Sequence, residues 1–251
     1  MLANLLVAGL TITLGLSGGA PTPTTVTPDP GESHIVAGRV APHTPWVVQI
    51  VETGGTVPSG SEEDCTGVQV DASWVLTARQ CTGDTDDIDV YQSNSVTHSG
   101  PATPVDRVVV APKGDIALMH LAAPAPLSAY APLDLRSGAA ASGTGTIEGY
   151  GFRAHGKQAT RLYAATVRLT GAEVDGFHGA AQEVTGINGV PNDGDSGGPL
   201  LVDGRVRALC SQGFGDERDD PHGVSVYALL SQDAAWIRST TGVGVLHGSG
   251  S

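Results

Sequence analysis

Positive charge is scarce in this chain: 13 Lys and Arg stand against 26 Asp and Glu, for a formal net charge of −13 over 251 residues. A surface this acidic argues against nucleic acid or an anionic membrane as partner, because both present negative charge that such a field repels. Helical periodicity is scarce too, since apolar residues seldom recur at three- and four-residue spacing, which points away from a helical protein. Only three cysteines occur. No His, Cys or Asp group stands at metal-ligand spacing, and no glycine loop precedes a helix in the way that cradles a phosphate, so neither a metal nor a cofactor is expected.

Turn formers and short β-branched runs are what the sequence does have. With Gly 35, Pro 16 and hydrophobic residues at 40%, the chain reads as all-β, long enough for one sizeable domain or two small lobes. The clearest strands are Trp46 to Val51, Thr66 to Val70, Trp74 to Ala78, Val105 to Ala111, Ile116 to Leu121, Ala164 to Thr170 and Gly204 to Leu209. One short helix is expected over Ser231 to Ser239, with Ser231 as its cap and Leu230, Ala234 and Ile237 on a common face.

The organisation along the chain follows from composition. Residues 1–20 carry the uncharged apolar run Leu2 to Leu16 and read as a signal peptide, too short for a membrane span. No Lys or Arg precedes the run and Pro21 follows the small residues, which leaves an upstream start or an N-terminal apolar anchor open. Residues 21–34, rich in Pro and Thr, read as propeptide or linker, 35–240 as the folded domain and 241–251 as a tail.

The stretch Gly194-Asp195-Ser196-Gly197-Gly198-Pro199-Leu200 draws the chemistry together. Glycines on both sides of a serine allow a sharp turn that points a hydroxyl and several N–H groups at one place, the shape of an acyl-transfer site. In chain order, Ile35-Val36-Ala37-Gly38, Trp74-Val75-Leu76-Thr77-Ala78, Gly114-Asp115-Ile116-Ala117-Leu118 and this stretch resemble the chymotrypsin/trypsin-like serine proteases. That resemblance implies a two-lobed antiparallel β-barrel fold with its site in the interlobe cleft.

By the resemblance, Ser196 matches the nucleophile, Asp115 the carboxylate that orients the base, and the N–H groups of Gly194 and Ser196 the oxyanion hole. The base itself is missing. Where the family runs Ala-His-Cys, this chain runs Ala78-Arg79-Gln80-Cys81. An amide accepts no proton at useful basicity, and in a well-studied protease loss of the histidine alone costs about 10⁶ in turnover. None of the 8 histidines (His34, His43, His98, His120, His155, His178, His222, His247) sits on the strand that delivers the base.

The resemblance carries further expectations. Cleavage before Ile35 would free an α-amino group to pair with Asp195; the unremarkable alternative is that Ile35 simply opens the first strand. Cys65 and Cys81 match the family's disulfide beside the base, which suits an exported, oxidising location, and leave Cys210 over as a small buried hydrophobe. Val190 falls at the floor of the primary pocket, with Gly213 and Gly223 on its walls, so that the pocket reads as neutral and open to an apolar or aromatic side chain. Asn192 replaces a bracing cysteine, and Ser211-Gln212-Gly213 replaces the family's Ser-Trp-Gly strand. A secreted monomer is expected, taking a peptide, a protein substrate or a protease inhibitor in the cleft. Two functions compete: a homologue without hydrolytic power that binds its ligand, and an endopeptidase whose base is unconventional.

Overall fold

The computed structural model describes residues 35–97, 99–214 and 220–243. The expected signal and propeptide segments, and the tail after Val243, lie outside the described residues.

The first six long strands close on themselves. Strands β2 (Val47–Thr53), β3 (Glu63–Gln69), β4 (Trp74–Thr77), β5 (Asp87–Tyr91), β6 (Thr103–Val110) and β7 (Ala117–Leu121) form an antiparallel barrel in the order β2-β3-β4-β7-β6-β5. Alternate residues of β2 show why the sequence there is apolar throughout. Val48 and Ile50 join Cys65, Val75, Val90 and Met119 inside the barrel, while Val47 faces the other way into a second cluster.

A second barrel follows, built from β8 (Thr144–Gly149), β9 (Tyr163–Val174), β10 (Ala180–Gly186), β11 (Pro199–Val202), β12 (Arg205–Phe214) and β13 (Val224–Leu229). It closes because β8 pairs with both β9 and β11, and the two-residue strand β1 (Arg39–Val40) adds to β9. Val167, Leu169, Val184, Leu200, Ala208 and Tyr227 fill its interior. The cluster that Val47 enters, with Trp74, Leu76 and Leu118 from the first barrel and Tyr150, Leu162, Leu209 and Ala228 from the second, packs the two together. The all-β, two-barrel expectation is therefore met.

The terminal helix differs in detail from its sequence reading. Leu230–Asp233 forms a 3-10 turn, and α1 begins only at Ala234, running to Thr241, two residues past the expected end at Ser239. Ser231 lies inside that turn rather than capping the helix, whose N-cap Asp233 makes no side-chain cap bond. Ile237 is fully buried in the interbarrel cluster. Gly242, at φ 76, ends the helix and donates its N–H to the Arg238 carbonyl at 2.9 Å.

Candidate active site

The turn that carries Gln80 in the first barrel meets the 190–196 turn, strand β12 and the connection into β13 of the second around one cavity of about 350 Å³, lined by Gln80, Val190, Ser196, Ser211, Gly213 and Gly223 among others. Gln80 sits in the 3-10 turn Arg79–Cys81 directly after β4. That turn is tied to β3 by the Cys65–Cys81 disulfide, with Cα atoms 6.2 Å apart and a sequence separation of 16.

The glycines of the Gly194–Leu200 stretch are there because the turn demands them. Gly194 has φ 93 and Gly197 φ 79, left-handed values that side-chain-bearing residues rarely adopt. A Cβ on Gly197 would also run into the Thr77 hydroxyl and the Thr66 carbonyl. Thr66 of the first barrel fastens the turn: its N–H donates to the Ser196 carbonyl at 2.8 Å and its hydroxyl to the Gly194 carbonyl at 2.9 Å. Within the turn, the N–H groups of Asp195, Gly197 and Gly198 are spent on carbonyls of Asn192, Cys210 and Asp195. Those of Gly194 and Ser196 donate to none of the described residues.

Asp115 is fully buried beneath Gln80. Its Oδ1 accepts the Gln80 backbone N–H at 2.9 Å; its Oδ2 accepts the Gln80 side-chain amide at 2.9 Å and the Ser211 hydroxyl at 2.7 Å. The same Gln80 amide nitrogen also donates to the Ser211 carbonyl at 2.5 Å. Burial pushes the Asp115 carboxyl above its usual range; the bonds from Ser211 and Gln80 pull it back in part, while the nearby Asp175 charge adds to the rise. The half-buried Ser196 hydroxyl makes no hydrogen bond to a described residue.

Asp175 is a site residue that the sequence reading missed. Its carboxylate, almost wholly buried, accepts the backbone N–H of Asp115 at 3.1 Å and those of Phe177 and Gly179 at 2.9 Å each. It thereby pins the Asp115 turn to the β9–β10 connection. The Asp175-Gly176 pair was the available signal, since Asp-Gly marks a tight turn between strands. On the same connection the Phe177 ring lies 4.5 Å from the Arg79 guanidinium, beside Gln80.

Asp195 and Ile35 are both buried, and no bond joins them. The Asp195 carboxyl is buried, accepts the backbone N–H of Gly151 at 2.7 Å and of Asn192 at 2.9 Å, and is pushed by burial up to about 7. Ile35 is 1% exposed inside the second barrel's core, and its φ of 35 is strained for a β-branched residue. Cys210 is a free, buried cysteine in the same cluster, its thiol raised by burial.

The pocket is less neutral than Val190 implied. Asp193 and Asp220 also line it, so two carboxylates share the cavity with Val190, Pro191 and Val224. No histidine is among its lining residues. His120 instead lies with Nδ1 2.7 Å from Asp106 and its ring against Trp74, His222 has Nδ1 3.2 Å from the Gly186 carbonyl, and His178 is exposed on the β9–β10 connection.

A family model described as Trypsin matches residues 35–237. The chain belongs to the trypsin family. Among characterised relatives, human kallikrein-12 is 27% identical over 221 residues, covering 77% of this chain and 84% of that protein. Mouse kallikrein 1-related peptidase b1 is 28% identical over 274 residues, covering 94% and 97% respectively. The solved structure of neuropsin, a serine protease expressed in the limbic system of mouse brain, superposes with a TM-score of 0.66 at 23% identity, over 81% of this chain and 98% of that one. That likeness supports the trypsin-like fold already read from the strand order.

Proposed function

We propose that this trypsin-family chain is a secreted, monomeric protein whose interbarrel cleft holds a peptide or protein ligand, a protease inhibitor included, with hydrolysis lost or very weak. One observation carries the reading: the Gln80 amide is committed to Asp115 and the Ser211 carbonyl. In the family that position supplies a base which takes the proton from the nucleophile. Here an amide stands in for it, donating to the carboxylate as an imidazole would but accepting no proton from Ser196.

The other roles follow the same assignment. Ser196 is the nucleophile without a base, and Asp115 the carboxylate that now anchors Gln80. The uncommitted N–H groups of Gly194 and Ser196 are suited to an oxyanion, since donors already spent on carbonyls could not serve. Val190, Ser211, Gly213 and Gly223 bound the ligand pocket, together with the two carboxylates that temper its apolar character. Residues 1–20 are the signal peptide, 21–34 the propeptide or linker, 35–240 the protease-like domain and 241–251 the tail. Cleavage before Ile35 frees an α-amino group for Asp195, whose carboxyl, buried among backbone donors with no cation among the described residues, gains a partner for its ionised form.

The test is peptide hydrolysis by protein whose amino terminus is Ile35, run as wild type, Ser196→Ala and Gln80→His. The expected result is a wild type no faster than Ser196→Ala and a gain in Gln80→His. A wild type that cleaves while Ser196→Ala does not overturns the reading and makes the chain an endopeptidase with another group taking the proton.

A further inference from the structure

A second cavity, of about 430 Å³, lies apart from the cleft, and its lining includes Leu133, Asp134, Arg136, Arg205 and Arg238. The three arginines come from three different parts of the second half of the chain: the segment between β7 and β8, the first residue of β12, and α1. In a chain with only 13 Lys and Arg against 26 acids, three guanidinium groups on one cavity need a reason, because like charges repel unless something neutralises them. None of the three forms an ion pair with a described carboxylate. The Arg205 Nη1 lies 3.5 Å from the Leu133 carbonyl, which holds that guanidinium at the cavity wall.

Asp134, the one carboxylate in the lining, is already engaged. Its Oδ1 accepts the backbone N–H groups of Arg136 and Ser137 at 3.1 Å each, and its Oδ2 lies 3.4 Å from the Nε of a fourth arginine, Arg207. Burial alone would raise this carboxyl, but the bonds from Ser137 and Arg136 and the Arg207 charge outweigh it and hold the group below its usual value. Asp134 therefore stays ionised and leaves the three lining arginines with a surplus of positive charge.

We propose that this cavity binds a phosphate or sulfate group. Each guanidinium offers a planar fork of N–H donors, and one or two forks saturate the two oxygens of a carboxylate. Three forks match a tetrahedral oxyanion, with three or four acceptor oxygens and a charge near −2. The surrounding acidic surface repels anions in general, so the cavity is the place where a local positive field selects one.

The experiment is calorimetric titration of the full chain with inorganic phosphate, inorganic sulfate, acetate and a sulfated oligosaccharide, all at one ionic strength so that screening is equal. Saturable one-site binding of phosphate or sulfate is expected. Arg205→Ala and Arg238→Ala should each weaken it about tenfold, Arg205→Lys less, and Arg168→Ala on the exposed face of β9 not at all. Melting curves without ligand separate a lost site from a lost fold. If the sulfated oligosaccharide binds at least tenfold more tightly than sulfate, the natural source is a polymer-borne ester; equal affinities point to a free ion. Absence of saturable binding, acetate binding as tight as phosphate, or arginine variants that fold and bind like wild type would each overturn the proposal.

Discussion

Glu148 gives the sharpest quantitative prediction. It lies on β8, is 6% exposed, and its Oε2 has no hydrogen-bond partner among the described residues. Burial pushes its carboxyl from 4.5 up to about 7. A carboxyl whose value is raised on folding binds its proton more tightly in the folded chain than in the unfolded one. Stability from this group is therefore fully present below about pH 4.5 and is lost as pH rises to about 7. That interval corresponds to about 3 kcal/mol. Glu148→Gln keeps the shape and removes the titration. Urea unfolding of both proteins at pH 4.5 and pH 8 measures the effect as a double difference, in which the contributions of Glu52 and Asp195, also pushed up to about 7 by burial, cancel. Wild type should lose about 3 kcal/mol more than the variant between the two pH values, or roughly 6–12 °C in melting temperature. Equal pH dependence in the two proteins would refute the argument and mean that Glu148 is solvated in the folded state.

Three further outcomes follow from packing. Gly197→Ala should destabilise by about 3 kcal/mol, because the residue needs φ 79 and its Cβ would meet the Thr77 hydroxyl and Thr66 carbonyl; thermal melting reads this directly. Replacing both Cys65 and Cys81 by Ser should cost about 3 kcal/mol, the loop-closure value for a loop of this size, and the variant's urea midpoint should equal that of reduced wild type. Asp175→Ala leaves the N–H groups of Asp115, Phe177 and Gly179 without their acceptor and should lower stability by about 3 kcal/mol in urea, with hydrogen exchange at Asp115 accelerated.

How much of this was legible in the sequence depended on whether the signal was local. Trp74–Thr77 and Ala117–Leu121 are mostly apolar, with Val75 and Met119 facing the first barrel's interior and Trp74, Leu76 and Leu118 the cluster shared with the second, and both could be read as strands. Strand β5, Asp-Ile-Asp-Val-Tyr, could not, because two of its five residues are acidic; nor could β10, whose Ala-Ala-Gln-Glu-Val-Thr-Gly offers little apolar alternation. The meeting of Gln80, Asp115 and Ser196 around one site was legible because each lies in a compact motif. The role of Ser211 was not. A register shift between Cys210 and Gln212 accompanies a side chain turned onto Asp115, and such an irregularity leaves no mark in a run of ten residues. For Asp175 the Asp-Gly pair marked a turn, but the contact with Asp115 stayed hidden because it joins positions 60 residues apart.

The network around Asp115 explains why replacing the base need not disturb the fold, on the reading proposed above. A buried carboxylate without donors would be expensive, and Asp115 has three, of which the Gln80 side chain supplies only one. The backbone N–H of residue 80 and the Ser211 hydroxyl remain whatever side chain stands there. A histidine at position 80 would keep the third bond through one ring nitrogen and turn the other, an acceptor, toward the cleft. Gln80 meets the structural half of that requirement and fails the chemical half. The consequence separates two observables that ordinarily move together: Gln80→His should change turnover by orders of magnitude while leaving the unfolding free energy within about 1 kcal/mol, since one charge-assisted donor replaces another. A gain in turnover accompanied by a large change in stability would mean that Gln80 does more to hold the two barrels together than its bonds to Asp115 and Ser211 account for.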